Sequence, residues 1–501
     1  MKKHFFLTVF GLLCALFTTA QTAIEVERSI LSDPSSFYYI NTSKYPQQDA
    51  KLPIGVFDSG TGGLTVFNAI VTFDEHRNAD GTAGADGLPD FTTEDFIYLA
   101  DQANMPYGNY AAVGKTDLLR ELILKDAQFL LGTHYYSGDD SLLSNKKPVK
   151  AIVVACNTAT AYGKSDIEAL LKKAALEVPV IGVIDAGARG ALSLFKPRES
   201  GSIGVFATAG TVASGGYARA IQRVKQELGY TGNITVFNQG GVGIAEAIDE
   251  DLSYIDKNAA AVRPTYKGPN VGPQAPLAID KTLLRIYNFD FSDYKMLCDA
   301  RKVDDCGDLQ INSAENYVRY HLVSMLENMR RTPNAQPMKV LVLGCTHYPY
   351  MKETIQQVLG ELRRYKEGRK YRYRHLLAEN VVLVDPSVNT ARELYAYLNA
   401  KRIQNPAGSL NNSEFYISVP NPTLPGVGLE PEGGRFTYDY KYGRKAGEGV
   451  QHIHVTPFSR RNISEGVSER LKAQIPAVFH LIQVFGQQNE KMRALREAEK
   501  L

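Results

Sequence analysis

Two cysteines of this 501-residue chain stand where an apolar run gives way to small polar residues. Cys156 follows AIVVA at 151–155, and Cys345 follows KVLVLG at 339–344. A cysteine is an acid as a thiol and a base as a thiolate, so it can take part in proton transfer. A single cysteine in such a place is commonly an inert buried side chain. Two of them at equivalent strand ends favour chemistry at facing sites in two related halves.

Polar side chains follow both cysteines. Asn157 and Thr158 come directly after the first, and Thr346 and His347 come directly after the second. A free thiol has a pKa of about 8.5, so polar or cationic neighbours must lower one pKa to populate a thiolate. A cysteine hydrolase that uses Cys345 and His347 is a weak alternative. Two residues apart on one strand, these side chains are not expected to reach hydrogen-bonding distance.

A glycine-rich segment follows the first apolar run. It reads Asp58-Ser59-Gly60-Thr61-Gly62-Gly63. Glycines at a strand-to-helix turn let backbone N–H groups approach an anion, and the helix N-terminus favours negative charge. The Lys-Ser/Thr ending of a phosphate-binding loop is missing, so a carboxylate would suit the turn as well as a phosphate.

Short β-branched runs separated by segments of helical spacing must position these residues. The runs are 54–57, 96–99, 151–155, 178–184, 202–207, 234–237, 339–344 and 380–385. Continuous apolar strands that alternate with helices predict an α/β protein with parallel sheets covered on both faces. Eight strands with long interruptions indicate two α/β domains, with the ligand at the carboxyl ends of the strands.

The motifs, taken in order, resemble those of glutamate racemases, in the cofactor-independent aspartate/glutamate racemase superfamily. They are IGVFDSGTGGLTV at 54–66, MPYG at 105–108, VVACNTATA at 153–161, VPVIGVIDAGARGAL at 178–192, IGVFATAGTVASGGYARAI at 203–221 and LVLGCTHYPYMK at 341–352. The resemblance implies two α/β domains with parallel sheets, related by pseudo-twofold symmetry, and an active site in the interdomain cleft. It implies no cofactor, PLP and metal included.

The resemblance also implies a division of the chain into domains. Residues 50–185 with about 350–400 would form the first domain, and 186–349 the second, with an insertion at about 251–335. Residues 401–501 would be a C-terminal extension.

By the same resemblance, Cys156 and Cys345 are the catalytic pair, one a thiolate base and the other a thiol acid on opposite faces of the α-carbon. Asp58 and His347 would assist them. The residues expected to hold the amino acid are Asp58, Ser59, Tyr107, Gly108, Asn157, Thr158, Thr346 and His347, and Thr208 would line the cleft. The acidic position after the sixth strand stays open among Glu246, Asp249 and Glu250.

The implied substrate and partner is glutamate, with D-glutamate serving cell-wall (peptidoglycan) synthesis. Aspartate or a broader range of acidic amino acids is an alternative substrate, and a periplasmic amino-acid-binding module is an alternative class. Binding alone would not require two thiols. The sequence leaves open whether the chain forms a homodimer and what the insertion and the extension do.

The N-terminus departs from the family pattern. Residues 1–20 read as a signal peptide, with a basic start, a short apolar stretch and a small residue at Ala20. We therefore expect an exported, periplasmic protein without a stable membrane span. In an oxidising compartment Cys298 and Cys306 are close enough in sequence to form a disulfide.

Composition excludes other classes. With 44% apolar residues and a net charge of +2, the chain is neither disordered nor generally attractive to nucleic acid. The basic stretch from Arg363 to Arg374 is interpreted as a solvated helix face or loop. The loop at 78–90 is rich in Gly and Asp, but its spacing does not match that of an EF-hand, which leaves calcium binding there open.

Overall fold

A computed structural model describes residues 21–248, 250–271, 277–431 and 434–501. The predicted signal peptide at 1–20 and Asp249 lie outside these residues. Among the described helices, none is both long and apolar enough to cross a bilayer.

The strands account for all eight predicted runs and add several short ones. They are β1 Ile54–Asp58, β2 Phe96–Ala100, β3 Tyr135–Tyr136, β4 Leu142–Leu143, β5 Ala151–Val154, β6 Val180–Gly182, β7 Gly201–Ala207, β8 Ile234–Gly240, β9 Met296–Cys298, β10 Leu309–Ile311, β11 Met338–Gly344, β12 Lys366–Glu367, β13 Lys370–Tyr371, β14 Leu377–Val384, β15 Glu414–Pro420 and β16 Ile453–Pro457.

The helices lie between and after these strands. They are α1 Gln21–Leu31, α2 Leu64–Val71, α3 Gly108–Ala112, α4 Thr116–Leu131, α5 Asn157–Lys173, α6 Val183–Leu192, α7 Ala209–Ser214, α8 Gly216–Glu227, α9 Ile244–Ile248, α10 Leu284–Tyr287, α11 Ala314–Arg331, α12 Lys352–Arg364, α13 Pro386–Lys401, α14 Tyr438–Gly443, α15 Glu465–Gln474 and α16 Pro476–Gln488. Short 3₁₀ segments cover Thr42–Lys44, Gln102–Asn104, Lys281–Leu283, Ser292–Tyr294, Val303–Asp305, Tyr348–Met351, Leu410–Asn412, Glu490–Met492 and Glu497–Glu499.

The first sheet has six strands in the order β16-β15-β2-β1-β5-β6. Its strands run parallel except for β16, which pairs antiparallel with β15. Along β1, Val56 packs into one hydrophobic core and Phe57 into another on the opposite face. Because both faces are buried, the strand reads as a continuous apolar run rather than an alternating one.

The second sheet has four parallel strands in the order β14-β11-β7-β8. Helix α11 packs against β8, and α6 packs against β11, so this sheet is also covered. The α/β class and the parallel sheets are therefore confirmed.

The sheets divide the chain differently from the predicted domains at two places. Within the range 350–400, β14 pairs with β11 of the second sheet, whereas α13 packs against α2 and α6. The predicted C-terminal extension at 401–501 also contributes a strand to the first sheet, because β15 pairs with β2. Strand pairing between distant segments depends on tertiary contacts that local periodicity does not encode.

The insertion contains a small antiparallel pair, β9 and β10, next to a disulfide between Cys298 and Cys306. In the acidic loop at 78–90, the carboxylates accept hydrogen bonds from the backbone of the loop and of the residues just before it. Asp86 accepts from the N–H groups of Asn78 and Leu88, and Asp90 accepts from those of Glu75 and His76. These bonds account for the loop's shape, and calcium binding there stays untested.

Candidate active site

Cys156 lies two residues beyond the end of β5 and caps helix α5. Its Sγ accepts a hydrogen bond from the Ala159 backbone N–H at 3.4 Å. The positive end of a helix favours an anion, so this position stabilises a thiolate. The side chain is 7% exposed, which keeps bulk water away from the sulfur.

The glycine-rich turn after β1 brings Asp58 and Ser59 beside this thiol. The Cys156 Sγ donates to Ser59 Oγ at 3.7 Å. Asp58 Oδ2 accepts from the N–H groups of Gly60 at 3.2 Å and Gly63 at 2.9 Å. A Cβ built on Gly63 would lie 2.4 Å from Asp58 Cβ, so only glycine fits this turn. The turn thus uses its amides to hold an internal carboxylate.

Burial and charge set the protonation of this pair. Burial, followed by the nearby charge of Asp58, raises the pKa of Cys156 to about 12, although the Ala159 and Ser59 hydrogen bonds oppose the rise. Burial also raises the pKa of Asp58, against hydrogen bonds from Gly63 and Cys156. A carboxylate with a raised pKa is a stronger base. Asp58 is therefore suited to exchange a proton with Cys156.

Cys345 lies in the turn that follows β11, before the 3₁₀ segment Tyr348–Met351. Its Sγ is 3.8 Å from Nδ1 of His347, and Thr346 Oγ1 is 3.4 Å from the same nitrogen. The expectation that Cys345 and His347 stay apart is wrong. It assumed an extended strand, whereas β11 ends at Gly344 and the chain then turns. His347 can therefore share a proton with Cys345.

Two contacts join the neighbourhoods of the cysteines. Tyr217 donates its hydroxyl proton to Asn157 Oδ1 at 3.0 Å, and its ring would lie 2.9 Å from a Cβ built on Gly344. The charge of Cys345 is among the causes, after burial, that raise the pKa of Tyr217. The loops that carry the two cysteines therefore meet at one tyrosine.

The second contact lies at Gly62. A Cβ built there would be 3.7 Å from both Asp58 Oδ2 and Thr346 Oγ1. The turn after β1 and the turn after β11 thus approach each other without touching at this point. The space between these two turns is therefore bordered by residues that follow strands of both sheets.

Tyr107, predicted to contact the substrate, has a buried hydroxyl group. It is 1% exposed, and its hydroxyl lies 2.5 Å from Asp101 Oδ2 and 2.6 Å from Asp126 Oδ2. The hydroxyl is therefore engaged inside the first sheet's own core. Gly108, next in sequence, does reach the other side, because a Cβ built on it would lie 3.8 Å from Gly210 Cα.

The remaining predicted residues fall near the same region. Thr158 is half-buried in the first turn of α5. Thr208 caps α7, its Oγ1 accepting from the Thr211 N–H at 3.3 Å. Glu246 accepts from the Gly243 N–H at 3.0 Å, and its charge acts on Tyr348. Of the three acidic residues left open, Glu246 is thus placed near the Cys345 turn.

Sequence reasoning missed two tyrosines of this site. Tyr217 lies inside the motif at 203–221, and Tyr98, on β2, donates to the Gly60 carbonyl at 2.8 Å. Burial raises the pKa of Tyr98, and the charges of Asp58 and Cys156 add to the effect. Tyr98 has no local signal, because a tyrosine within a buried strand reads as core.

Comparisons with known proteins show what this chain is similar to. No family model matches the chain. A glutamate racemase of Oceanobacillus iheyensis is 26% identical over 365 residues, 73% of this chain and 86% of the relative. One of Geobacter metallireducens is 27% identical over 73% of this chain and 87% of its own. The chain is thus similar to glutamate racemases over 73% of its length.

A solved structure is also similar to the chain. The glutamate racemase of Francisella tularensis in complex with D-glutamate is 23% identical, over 74% of this chain and 88% of that chain, with a TM-score of 0.41. The sequence relatives confirm the resemblance found in the motifs, and those relatives are amino-acid racemases, which are isomerases.

Proposed function

We propose that this racemase homologue interconverts L- and D-glutamate by proton transfer between two thiols. The observation that carries the proposal is that the two cysteine turns, one from each sheet, meet at Tyr217 and approach each other at Gly62. Both Cys156 and Cys345 are buried free thiols. Racemisation needs a base on one face of the α-carbon and an acid on the other, and this arrangement supplies both.

In the proposed reaction, the thiolate of one cysteine removes the α-proton and the thiol of the other returns a proton to the opposite face. The first cysteine ends as a thiol and the second as a thiolate, so reversing the roles restores the starting state. On the Cys156 side, Asp58 accepts the thiol proton and the α5 N-terminus stabilises the thiolate. On the Cys345 side, His347 is the proton partner.

Substrate binding is proposed to use the same two turns. Asn157, Thr158 and Thr346 lie beside the cysteines, and Ser59 contacts the Cys156 sulfur. A single copy of the chain carries both cysteines and their partners. The proposed reaction therefore does not depend on a homodimer.

We also propose that the protein is exported and acts on D-glutamate in the periplasm, in connection with peptidoglycan. The signal-like residues 1–20 and the Cys298–Cys306 disulfide support an oxidising compartment. Export would expose the catalytic thiols to oxidation, so the proposal requires that Cys156 and Cys345 stay reduced during turnover.

The test is circular dichroism of L- and D-glutamate incubated with residues 21–501 in D₂O, with and without reductant. We expect the optical signal of both enantiomers to decay and deuterium to enter the α-position. Cys156→Ser and Cys345→Ser should each lower the rate by about 10²-fold or more. Faster turnover of aspartate than of glutamate would correct the substrate. Saturable binding of glutamate without decay of the optical signal would indicate an amino-acid-binding module rather than an enzyme.

A further inference from the structure

The C-terminal extension forms the wall behind the turn 105–108. Strand β15 pairs with β2, and its Ser418 reaches the residues that follow β2. Ser418 Oγ accepts from the Ala103 N–H at 2.9 Å and donates to Asp101 Oδ1 at 2.7 Å. The start of this segment is itself fixed, because the Asp101 N–H donates to the Asp58 carbonyl at 2.8 Å. Through Asp101, the extension is thus linked to Asp58 at the end of β1.

Arg444, also from the extension, is buried against the same segment. Its Nη2 donates to Asn104 Oδ1 at 2.7 Å and to Tyr110 Oη at 3.1 Å, one on each side of the turn 105–108. Its Nε donates to the Lys441 carbonyl at 3.0 Å, and the Lys441 Nζ donates to the Met105 carbonyl at 2.6 Å. One guanidinium therefore brackets the turn from both ends.

The number of protons shared by Tyr107 and two neighbouring carboxyl groups explains why a cation is needed here. Tyr107 has one hydroxyl proton but lies within 2.6 Å of two carboxyl oxygens, one on Asp101 and one on Asp126. The second of these short contacts needs a proton on a carboxyl group. Asp126 is buried, and among the described residues its carboxyl group hydrogen-bonds to Tyr107. We therefore place the additional carboxyl proton on Asp126.

Asp101 is the anion of this chain of contacts. It also accepts from the Asn104 amide at 2.9 Å and from Ser418, and the charge of Arg444 acts on it. Burial raises its pKa, and these donors together with Arg444 oppose that rise. An unpaired buried carboxylate is costly, so Arg444 stabilises the state in which Tyr107 donates to Asp101.

We propose that Arg444 of the extension is a positioning residue for the racemisation site. Through its charge near Asp101 and its bonds to Asn104 and Tyr110, it fixes Tyr107 and thereby Gly108, which faces Gly210 on the second sheet's side. The inference rests on the proposed function, because it assigns the turn 105–108 to the cleft of that same site. It gives the extension a part in substrate binding rather than a separate activity.

The experiment compares the kinetics of Arg444→Met and Arg444→Lys with those of the wild type, for both glutamate enantiomers. Arg444→Met removes the charge and the donors, so we expect KM to rise about tenfold while kcat changes about threefold or less. Arg444→Lys keeps the charge beside Asp101, so it should recover part of the loss in KM. Arg435→Met, at an exposed arginine of the same extension, is the matched control and should keep the wild-type KM.

Thermal unfolding separates positioning from folding. Unchanged KM in Arg444→Met, or a lowered melting temperature with unchanged KM, overturns the inference. If Arg444→Met does not fold, Ser418→Ala replaces it, with a smaller expected rise in KM in the same direction. An inactive wild type overturns the proposed function instead. In that case the Kd for D-glutamate, measured by calorimetry on the same variants, takes the place of KM.

Discussion

Asp58 and Cys156 form a coupled pair in which each group sets the other's proton affinity. The pKa of Cys156 is raised first by burial and then by the Asp58 charge, so the resting group is a thiol at neutral pH. A thiol at rest is protected from oxidation and becomes a base only when its proton can leave. Asp58 is the nearby acceptor with a pKa raised toward the working range.

Asp58→Asn tests this coupling, because the amide oxygen can keep the bonds from Gly60 and Gly63. Removing the negative charge lowers the pKa of Cys156, so alkylation by iodoacetamide at pH 8 should become faster in the variant. Racemisation should nevertheless fall by about tenfold to 10²-fold, because the proton acceptor is gone. Mass spectrometry of labelled Cys156 measures the first effect. Slower alkylation together with slower racemisation would show that Asp58 activates the thiol rather than restraining it.

The element that aims Asp58 is the turn between β1 and α2. Gly63→Ala would place a Cβ 2.4 Å from Asp58 Cβ, in a position fixed by a strand end and a helix start. We expect a loss of about 2 kcal/mol in the free energy of unfolding and a clear loss of turnover. Gly466→Ala is the control, because a Cβ there meets no atom within 4 Å. Urea denaturation of both variants measures the difference in their free energies of unfolding. Equal values would mean that the turn shifts to accommodate the added methyl group at little cost.

The elements show what the sequence predicts well. The runs that became β1, β5, β7 and β11 are buried on both faces, so local apolar character was sufficient to find them. The cysteines were placed correctly at the ends of these strands, because parallel strands present their carboxyl ends at one edge.

What the sequence does not predict depends on distant pairing. Strand β15 pairs with β2, which lies more than three hundred residues earlier in the chain. Arg444, which comes after β15, donates a hydrogen bond to Asn104 beside the turn 105–108. The MPYG motif predicts that Tyr107 contacts the substrate in the cleft. The Tyr107 hydroxyl lies within hydrogen-bonding distance of two buried carboxyl groups, which the motif does not predict. The Cys345–His347 approach depends on where β11 stops, which periodicity does not define to a single residue.

At the scale of the whole molecule, the extension and the first sheet form one connected structure. Lys150, at the start of β5, donates its Nζ proton to the Ile403 carbonyl at 2.8 Å, and Glu94 accepts from the Asn405 N–H at 2.9 Å. Helix α16 packs against α2 and β15, so the C-terminus covers one face of the first sheet. Deleting 401–501 would expose that face, and point substitutions are therefore the informative variants.

The disulfide lies in the insertion and involves neither Cys156 nor Cys345, so stability and the proposed catalysis should separate there. Replacing Cys298 and Cys306 together by serine removes a cross-link over a sequence separation of 8. We expect the free energy of unfolding to fall by about 2.5 kcal/mol, because the unfolded chain regains the entropy of that loop. Racemisation by Cys156 and Cys345 should stay at the wild-type rate. Urea denaturation without reductant measures the first quantity and circular dichroism of glutamate the second. A large loss of turnover with unchanged stability would instead tie the insertion to the cleft.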